Sequence, residues 1–186
     1  QVSMDYKKPG AAGKKTALVI GRFQPIHTGH CKALQAILSK SRSLVILVGS
    51  SNEPRTRENP FSFRERREMI RACLVAGGAS KGREPRASHR VRILPLRDVH
   101  DNPKWVTQVR KKMGGARVLY SNNALVTRLL KPFIQVRPMR SGIRVSATRV
   151  RAWMRQGNEI WKSFVPSAAA KYLDENGLVD ALRKIP

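Results

Sequence analysis

"TALVI" (Thr16–Ile20), followed at once by "GRFQPIHTGH" (Gly21–His30), is the stretch that decides how this chain is read. An apolar run without polar alternation is the pattern of a strand covered on both faces, as in a parallel sheet. The residues after it lie at the strand's carboxyl end, and a helix is expected from about Gly29. Ligands of such sheets bind beyond the carboxyl ends of the strands. The free N–H groups and the dipole of a helix start favour an anion there. His27 and His30 flank Gly29, whose missing side chain leaves the backbone open to a phosphate, and Arg22 adds a fixed positive charge. Two imidazoles with no carboxylate beside them fall short of the three or four ligands of a zinc site. The set therefore points to polyphosphate, and no protein-held metal is expected.

Working outward, the same alternation continues. Further strands are expected at "SLVILVG" (43–49), "VRILPL" (91–96), "ARVLYS" (116–121) and "FIQVRP" (133–138), with helices near 29–41, 62–77, 103–113 and 123–131. The second helix opens on "SFRE", a capping box of Ser62 and Glu65, and Gly77-Gly78 is a suitable stop. From about Ser146 the chain reads as helical: "SATRVRAWMRQG", then "SAAAKYLDENG" after Pro166. The pattern predicts an α/β fold, a doubly wound open parallel sheet with C-terminal helices. One domain is expected over residues 16–186, after a flexible basic tail at 1–15, with Gly78–Ser88 as a mobile surface loop.

Composition bounds the rest. Lys and Arg number 37 against 12 Asp and Glu, a formal net charge of +25, which attracts polyanions such as nucleotides or RNA. No apolar run approaches the ~20 residues of a membrane span, and residues 1–15 lack the apolar core of a secretory signal. Cys31 and Cys73 are the only cysteines. Their number and spacing do not make a disulfide framework or a zinc set, so a reducing compartment, the cytoplasm, is expected.

The string "GRFQPIHTGH" resembles the phosphate-binding H-x-G-H motif of the nucleotidyltransferase superfamily, and its G-R-F-Q-P-x-H-x-G-H form is similar to the archaeal-type nicotinamide-nucleotide adenylyltransferases. Four more elements follow in that family's order. "VGSSNEPRTRENPFSFRERREMI" (48–70) resembles the loop and helix after the second strand, and "LPLRDVHDNPKWV" (94–106) the segment that holds nicotinamide. "VLYSNNALVTRLL" (118–130) resembles a Y-S-G-N-P-L-V element, with Asn122 at its usual glycine and Ala124 at its proline. "VSATRVRAWM" (145–154) resembles the S-x-T-x-x-R motif that grips a triphosphate, with Ala147 where glycine is common. Asparagine tolerates a left-handed backbone better than most residues, so the turn at Asn122 is expected to survive.

The resemblance implies a Rossmann-like nucleotidyltransferase fold and adenylyl transfer from ATP to nicotinamide mononucleotide (NMN), giving NAD and pyrophosphate. It implies His27, His30, Arg22 and Arg151 as the catalytic set, and Gly21, Phe23, Gln24, Gly29, Ser121, Asn122, Ser146 and Thr148 on ATP. For NMN it implies Asn102, Trp105, Asp98, Gly49 and Ser50, with Trp105 stacking on the nicotinamide ring and Asn102 pairing with its carboxamide. Mg²⁺ is expected on the phosphates, held through water and substrate oxygens. Nicotinate mononucleotide is a second candidate acceptor, and a homo-oligomer is implied. Two alternatives stand beside this reading. One is a related nucleotidyltransferase with another phosphate acceptor. The other is an RNA- or ribosome-associated protein that retains the fold, its basic surface the working part.

Overall fold

The computed structural model describes residues 14–76 and 90–186. Its elements run β1 (Thr16–Gly21), α1 (Thr28–Lys40), β2 (Ser43–Val48), α2 (Phe63–Ala76), β3 (Val91–Pro95), α3 (Asn102–Lys112), β4 (Val118–Tyr120), α4 (Ala124–Leu130), β5 (Gln135–Arg137) and α5 (Ala147–Arg155). A short 3-10 helix (Glu159–Phe164), α6 (Ser167–Glu175) and α7 (Leu178–Arg183) complete the chain. The expected loop at 78–88, the Gly77-Gly78 stop and most of the expected tail lie outside the described residues; Lys14 and Lys15 are exposed ahead of β1.

The five strands form one sheet in the order β3-β2-β1-β4-β5. Every pairing is parallel, with Thr16 opposite Ser43, Leu44 opposite Val91, Ala17 opposite Val118 and Val118 opposite Gln135. Because strand side chains alternate, β1 sends Ala17 and Val19 to one face and Leu18 to the other. The first face packs under α1, α2 and α5–α7, the second under α3 and α4. Both layers are apolar, which is why the strands read as continuous Val/Ile/Leu runs. The order reverses between β1 and β4, so a crevice opens there at the carboxyl edge.

Helix ends follow local chemistry. Ser62 and Glu65 make the capping box: the Ser62 N–H donates to Glu65 Oε2 (2.7 Å) and the Glu65 N–H to Ser62 Oγ (3.3 Å). His27, Asp101, Asn123 and Ser146 each cap a helix by accepting from the backbone N–H three residues on. Strands β4 and β5 are shorter than the apolar runs that predicted them, three residues each. The 3-10 helix and α7 fall within the C-terminal part that reads as helical from about Ser146, though the sequence does not mark them as separate segments.

One expectation needs correction. Cys31 and Cys73, expected to stay reduced, form a disulfide between α1 and α2 with Cα atoms 5.7 Å apart. Each lies on its helix's sheet-facing stripe, and the two stripes meet in one core layer. A separation of 42 residues carries no hint of that meeting.

Candidate active site at the sheet's switch point

Between β1 and α1 the chain makes a tight loop whose side chains are nearly all used up. Gln24, 2% exposed, donates from Nε2 to the Phe61 carbonyl (2.8 Å) and accepts from the Phe61 N–H (3.0 Å). Phe23 sits at φ 51° with its ring edge-on to His30, 5.1 Å between centroids. That ring lies where a Cβ on Gly21 would approach to 3.0 Å, so the glycine makes room for it. A Cβ on Gly29 would likewise come within 3.1 Å of His27 Nδ1. The expected ATP residues Gly21, Phe23, Gln24 and Gly29 thus build the loop.

The two imidazoles stack, with ring centroids 3.6 Å apart and planes at 19°. His27 Nδ1 accepts from the His30 N–H at 3.2 Å, so its proton belongs on Nε2. Burial pushes the His27 pKa down to about 4. Burial, and then the neighbouring His27, push His30 down to about 3. Both rings are neutral at pH 7. His30 Nδ1 is buried and finds no partner among the described protein atoms. A buried orphan polar atom wants one. Neutral rings with free nitrogens can donate to phosphate oxygens without first losing a strong internal bond.

A cavity of about 340 Å³ opens on these rings, lined also by Gly29, Ser121, Asn122 and Ser141. It sits where the strand order reverses. Ser121 is 8% exposed and its hydroxyl accepts from the Asn123 N–H (3.1 Å). The Asn122 amide brackets Met139, donating to its carbonyl (2.6 Å) and accepting from its N–H (2.9 Å). Asn122 is not among the residues with positive φ. It replaces the expected glycine by a side-chain tie between two loops and has no need of left-handed backbone.

Arg151, 6% exposed, enters from the first turns of α5 and donates to the Gln24 carbonyl at 2.8 Å, while its Nε has no described partner. Burial first, then Arg22 and Arg155, lower its pKa. Thr148 Oγ1 lies 3.5 Å from Arg151 Nη2. These two line another cavity of about 350 Å³ with Arg57 and Arg155. Ser146 stands apart from that lining and caps α5.

The expected acceptor residues split. Asp98, Asn102 and Trp105 line a third cavity of about 220 Å³, with Leu125, Val126 and Leu129 of α4 as its far wall. The first turn of α4 and the residues just before it thus separate this cavity from the histidine cavity. Gly49 and Ser50 follow β2 and line neither; the Gly49 N–H donates to the Gly21 carbonyl (3.0 Å). Arg22 is exposed beside Gly49, 3.8 Å from where a Cβ on that glycine would lie.

One residue of this region escaped sequence reasoning. Arg66 is fully buried, and its guanidinium donates to the carbonyls of Arg22 (2.8 Å), Gly49 (2.7 Å), Ser50 (3.2 Å) and Ser62 (3.2 Å). It ties both strand-end loops to the start of α2. Burial, the main cause, lowers its pKa to about 10, so it stays charged. A signal exists in the sequence: Arg66, Met69, Ile70, Cys73 and Leu74 fall on one helical face, and the arginine takes the first place in an apolar stripe. Asn52 brackets Asp98 in the same manner, joining the β2 and β3 loops.

No three His, Cys, Asp or Glu side chains gather into a metal-holding group among the described residues, and no described helix is long and apolar enough to cross a membrane. The donors lining the histidine and arginine cavities are cations, neutral imidazoles, hydroxyls and amides, with Glu58 as the one carboxylate among the described lining residues, a set that suits phosphate oxygens.

Comparison with known proteins identifies the family. A family model described as cytidylyltransferase-like matches residues 18–153. The nicotinamide-nucleotide adenylyltransferase of Pyrococcus furiosus is 34% identical over 174 residues, covering 92% of this chain and 89% of that protein. That of Archaeoglobus fulgidus is 33% identical, covering 91% and 96%. Among solved structures, a bifunctional NMN adenylyltransferase/ADP ribose pyrophosphatase from Francisella tularensis, complexed with AMP and a manganese ion, aligns with TM-score 0.71 at 23% identity. The match covers 91% of this chain but about half, 52%, of that one. A Plasmodium falciparum nicotinic acid mononucleotide adenylyltransferase aligns with TM-score 0.54 at 11% identity, covering 89% of this chain and 98% of that one. These two likenesses show the fold.

Proposed function

The chain belongs to the cytidylyltransferase-like family, and from that premise we propose that it joins ATP and NMN into NAD and pyrophosphate. A phosphate oxygen of NMN attacks the α-phosphorus of ATP, one P–O bond forms, and the P–O bond to pyrophosphate breaks. The nucleophile is ionised at neutral pH, so the protein supplies no base. Its task is to align two polyanions and to stabilise the charge that spreads over the phosphoryl oxygens.

The observation that carries this reading is the stacked, neutral His27–His30 pair at the mouth of the switch-point cavity, with a buried His30 nitrogen left unpartnered. His27 and His30 donate to ATP phosphates, His30 to the α-phosphoryl group. Arg22 and Arg151 neutralise the triphosphate, with Thr148 and the α5 start beside them. Gly21, Phe23 and Gln24 act through the loop they shape, because the Gln24 amide is already spent on Phe61. Gly29 leaves the helix start open, and Ser121 and Asn122 form the nucleoside wall. Ser146 acts through the helix it caps. Mg²⁺ arrives on ATP as part of the substrate.

For the acceptor, Trp105 and Asn102 hold nicotinamide in the cavity next door, Asp98 orders its rim, and Gly49 and Ser50 form the floor between the β1 and β2 loops. Nicotinate mononucleotide is the competing acceptor for this cavity. The self-association implied by the resemblance belongs to the same reading, and so does a cytoplasmic setting, although the Cys31–Cys73 bond withdraws the reduced-cysteine argument for it.

The test mixes the purified chain with Mg-ATP and NMN and follows NAD. NAD forms, and Trp105→Ala raises the KM for NMN at least about fivefold, the loss of one stacking contact, with the KM for ATP unchanged. If wild type binds ATP yet makes no NAD, another phosphate acceptor takes the place of NMN. If Trp105→Ala leaves the KM for NMN unmoved, the neighbouring cavity is not the acceptor site.

A further inference from the structure

Residues 102–158 contain thirteen Lys and Arg and no Asp or Glu. Some of this charge serves the site just described, but part of it does not. In a parallel sheet all strands start at one edge, far from their carboxyl ends. At that amino edge the strand order β3-β2-β1-β4-β5 is matched by Arg92 in β3, Arg42 just before β2, Lys15 just before β1, Arg117 just before β4 and Lys131, the C-cap of α4, four residues before β5. The backbone links neighbours directly: the Arg42 N–H donates to the Lys15 carbonyl and the Arg117 N–H to the Thr16 carbonyl, each at 3.0 Å. Five strands at about 4.8 Å spacing make a row of roughly 19 Å.

The ordinary explanation is that cations here complement the carboxyl ends of the helices. It accounts for Lys14, which donates to the Ser39 carbonyl, for Arg90, which donates to the Leu38 carbonyl, and for Arg92, which donates to the Lys112 carbonyl. Lys15, Arg42, Arg117 and Lys131 form no such bond: their side chains are exposed and pair with no described residue, Arg42 following the C-cap of α1 and Lys131 being the C-cap of α4. Every described carboxylate lies in other segments, at 53–68, 98–101 or 159–180. At the β5 end of the row Phe133 is 46% exposed, and the Arg110 guanidinium lies over its ring at 4.6 Å.

We propose that this amino edge is a binding track for single-stranded nucleic acid, separate from the nucleotide site at the opposite edge. The linear spacing fits a phosphate backbone, and the exposed Phe133 backed by Arg110 offers a base a stacking face at one end. A membrane surface asks instead for a plane with several apolar side chains to insert, and among the described residues this end of the fold exposes two large ones, Phe133 and Val75 near the end of α2. The inference is independent of the acceptor assignment.

The full chain is titrated into labelled 20-mers of oligo(U) and oligo(dT), with anisotropy read across a series of KCl concentrations. Four to six phosphate contacts predict a slope of log K against log salt of about −3 to −4. The triple variant Arg42→Gln, Arg117→Gln, Lys131→Gln flattens that slope by about 2. A control with equal charge loss outside the row, Arg64→Gln, Lys171→Gln, Lys184→Gln, leaves it nearly unchanged. Phe133→Ala weakens binding at least about fivefold at fixed salt without altering the slope. NAD formation, or ATP binding if another acceptor is used, stays at wild-type level in all three variants and reports their folding. The RNA and DNA probes show which sugar the track prefers. Equal losses in variant and control overturn the proposal in favour of net charge alone. Absence of salt-dependent binding overturns it too, as does tighter capture by phosphatidylserine vesicles than by either oligonucleotide.

Discussion

Replacing Arg66 by Met removes the one guanidinium that ties both strand-end loops to α2 while keeping an unbranched apolar side chain. Its four hydrogen bonds to carbonyls of Arg22, Gly49, Ser50 and Ser62 are charge-assisted, worth about 1.5 kcal/mol each at the low end, or about 6 kcal/mol. Against that stands the cost of burying the charge. A pKa lowered from 12.5 to about 10 corresponds to about 3 kcal/mol, which the apolar replacement recovers. The expected net loss is about 3 kcal/mol. Urea unfolding measures it as a drop in midpoint at constant slope, and a thermal melt as a fall of about 6–12 °C in Tm. Arg66→Lys recovers only part, because an ammonium cannot span the carbonyls that a planar fork reaches. A loss under about 1 kcal/mol, or a lysine variant as stable as wild type, refutes the reasoning that this buried charge organises the site's floor.

Two other perturbations probe the same loops. Because His27 and His30 titrate at about 4 and about 3 when folded but near 6.5 when unfolded, the unfolded chain takes up protons first as pH falls. Their contribution is therefore full above about pH 6.5 and shrinks progressively toward pH 3. Between pH 7 and pH 5 each costs about 2 kcal/mol, read as the difference between wild type and the double variant His27→Asn, His30→Asn in urea titrations. Equal pH slopes for the two proteins contradict the burial that sets these values. In Gly29→Ala the new methyl meets His27 Nδ1 at 3.1 Å, so the ring must move and its bond to the His30 N–H weakens. ATP binding by calorimetry is expected to fall at least tenfold, with stability lowered by about 1–2 kcal/mol; unchanged ATP affinity shows that the imidazole position is unimportant.

Much of this was legible in the residue order. β1, β2 and β3 were found within a residue at each end because both faces of the sheet are covered, so apolar runs coincide with strands. β4 and β5 were found but overestimated: near the β5 edge, apolar residues such as Phe133 and Ile134 belong to the turn before the strand rather than to the ladder. The H-x-G-H string and the capping box at Ser62 are local in sequence and could be placed by spacing alone. What spacing could not convey was long-range pairing. Arg66 sits in "RERRE", which reads as a solvated charge run, yet it is buried against loop carbonyls 16, 17 and 44 residues away. The Gln24–Phe61 and Asn122–Met139 brackets turn two expected ligand-binding amides into loop clamps. The Cys31–Cys73 bond depends on how α1 and α2 meet. In each case the missing information was the partner's position in space, which no single segment carries.

The central claim is that the stacked imidazoles at the β1–β4 switch point stabilise phosphoryl transfer. NAD formation from Mg-ATP and NMN, measured for wild type and for His30→Ala at saturating substrates, tests it most directly. Loss of one donor aimed at the transition state predicts a kcat lower by two to three decades, about 3–4 kcal/mol, with ATP affinity changed far less. A His30→Ala enzyme that keeps its kcat within a few fold of wild type, while remaining folded, contradicts the account.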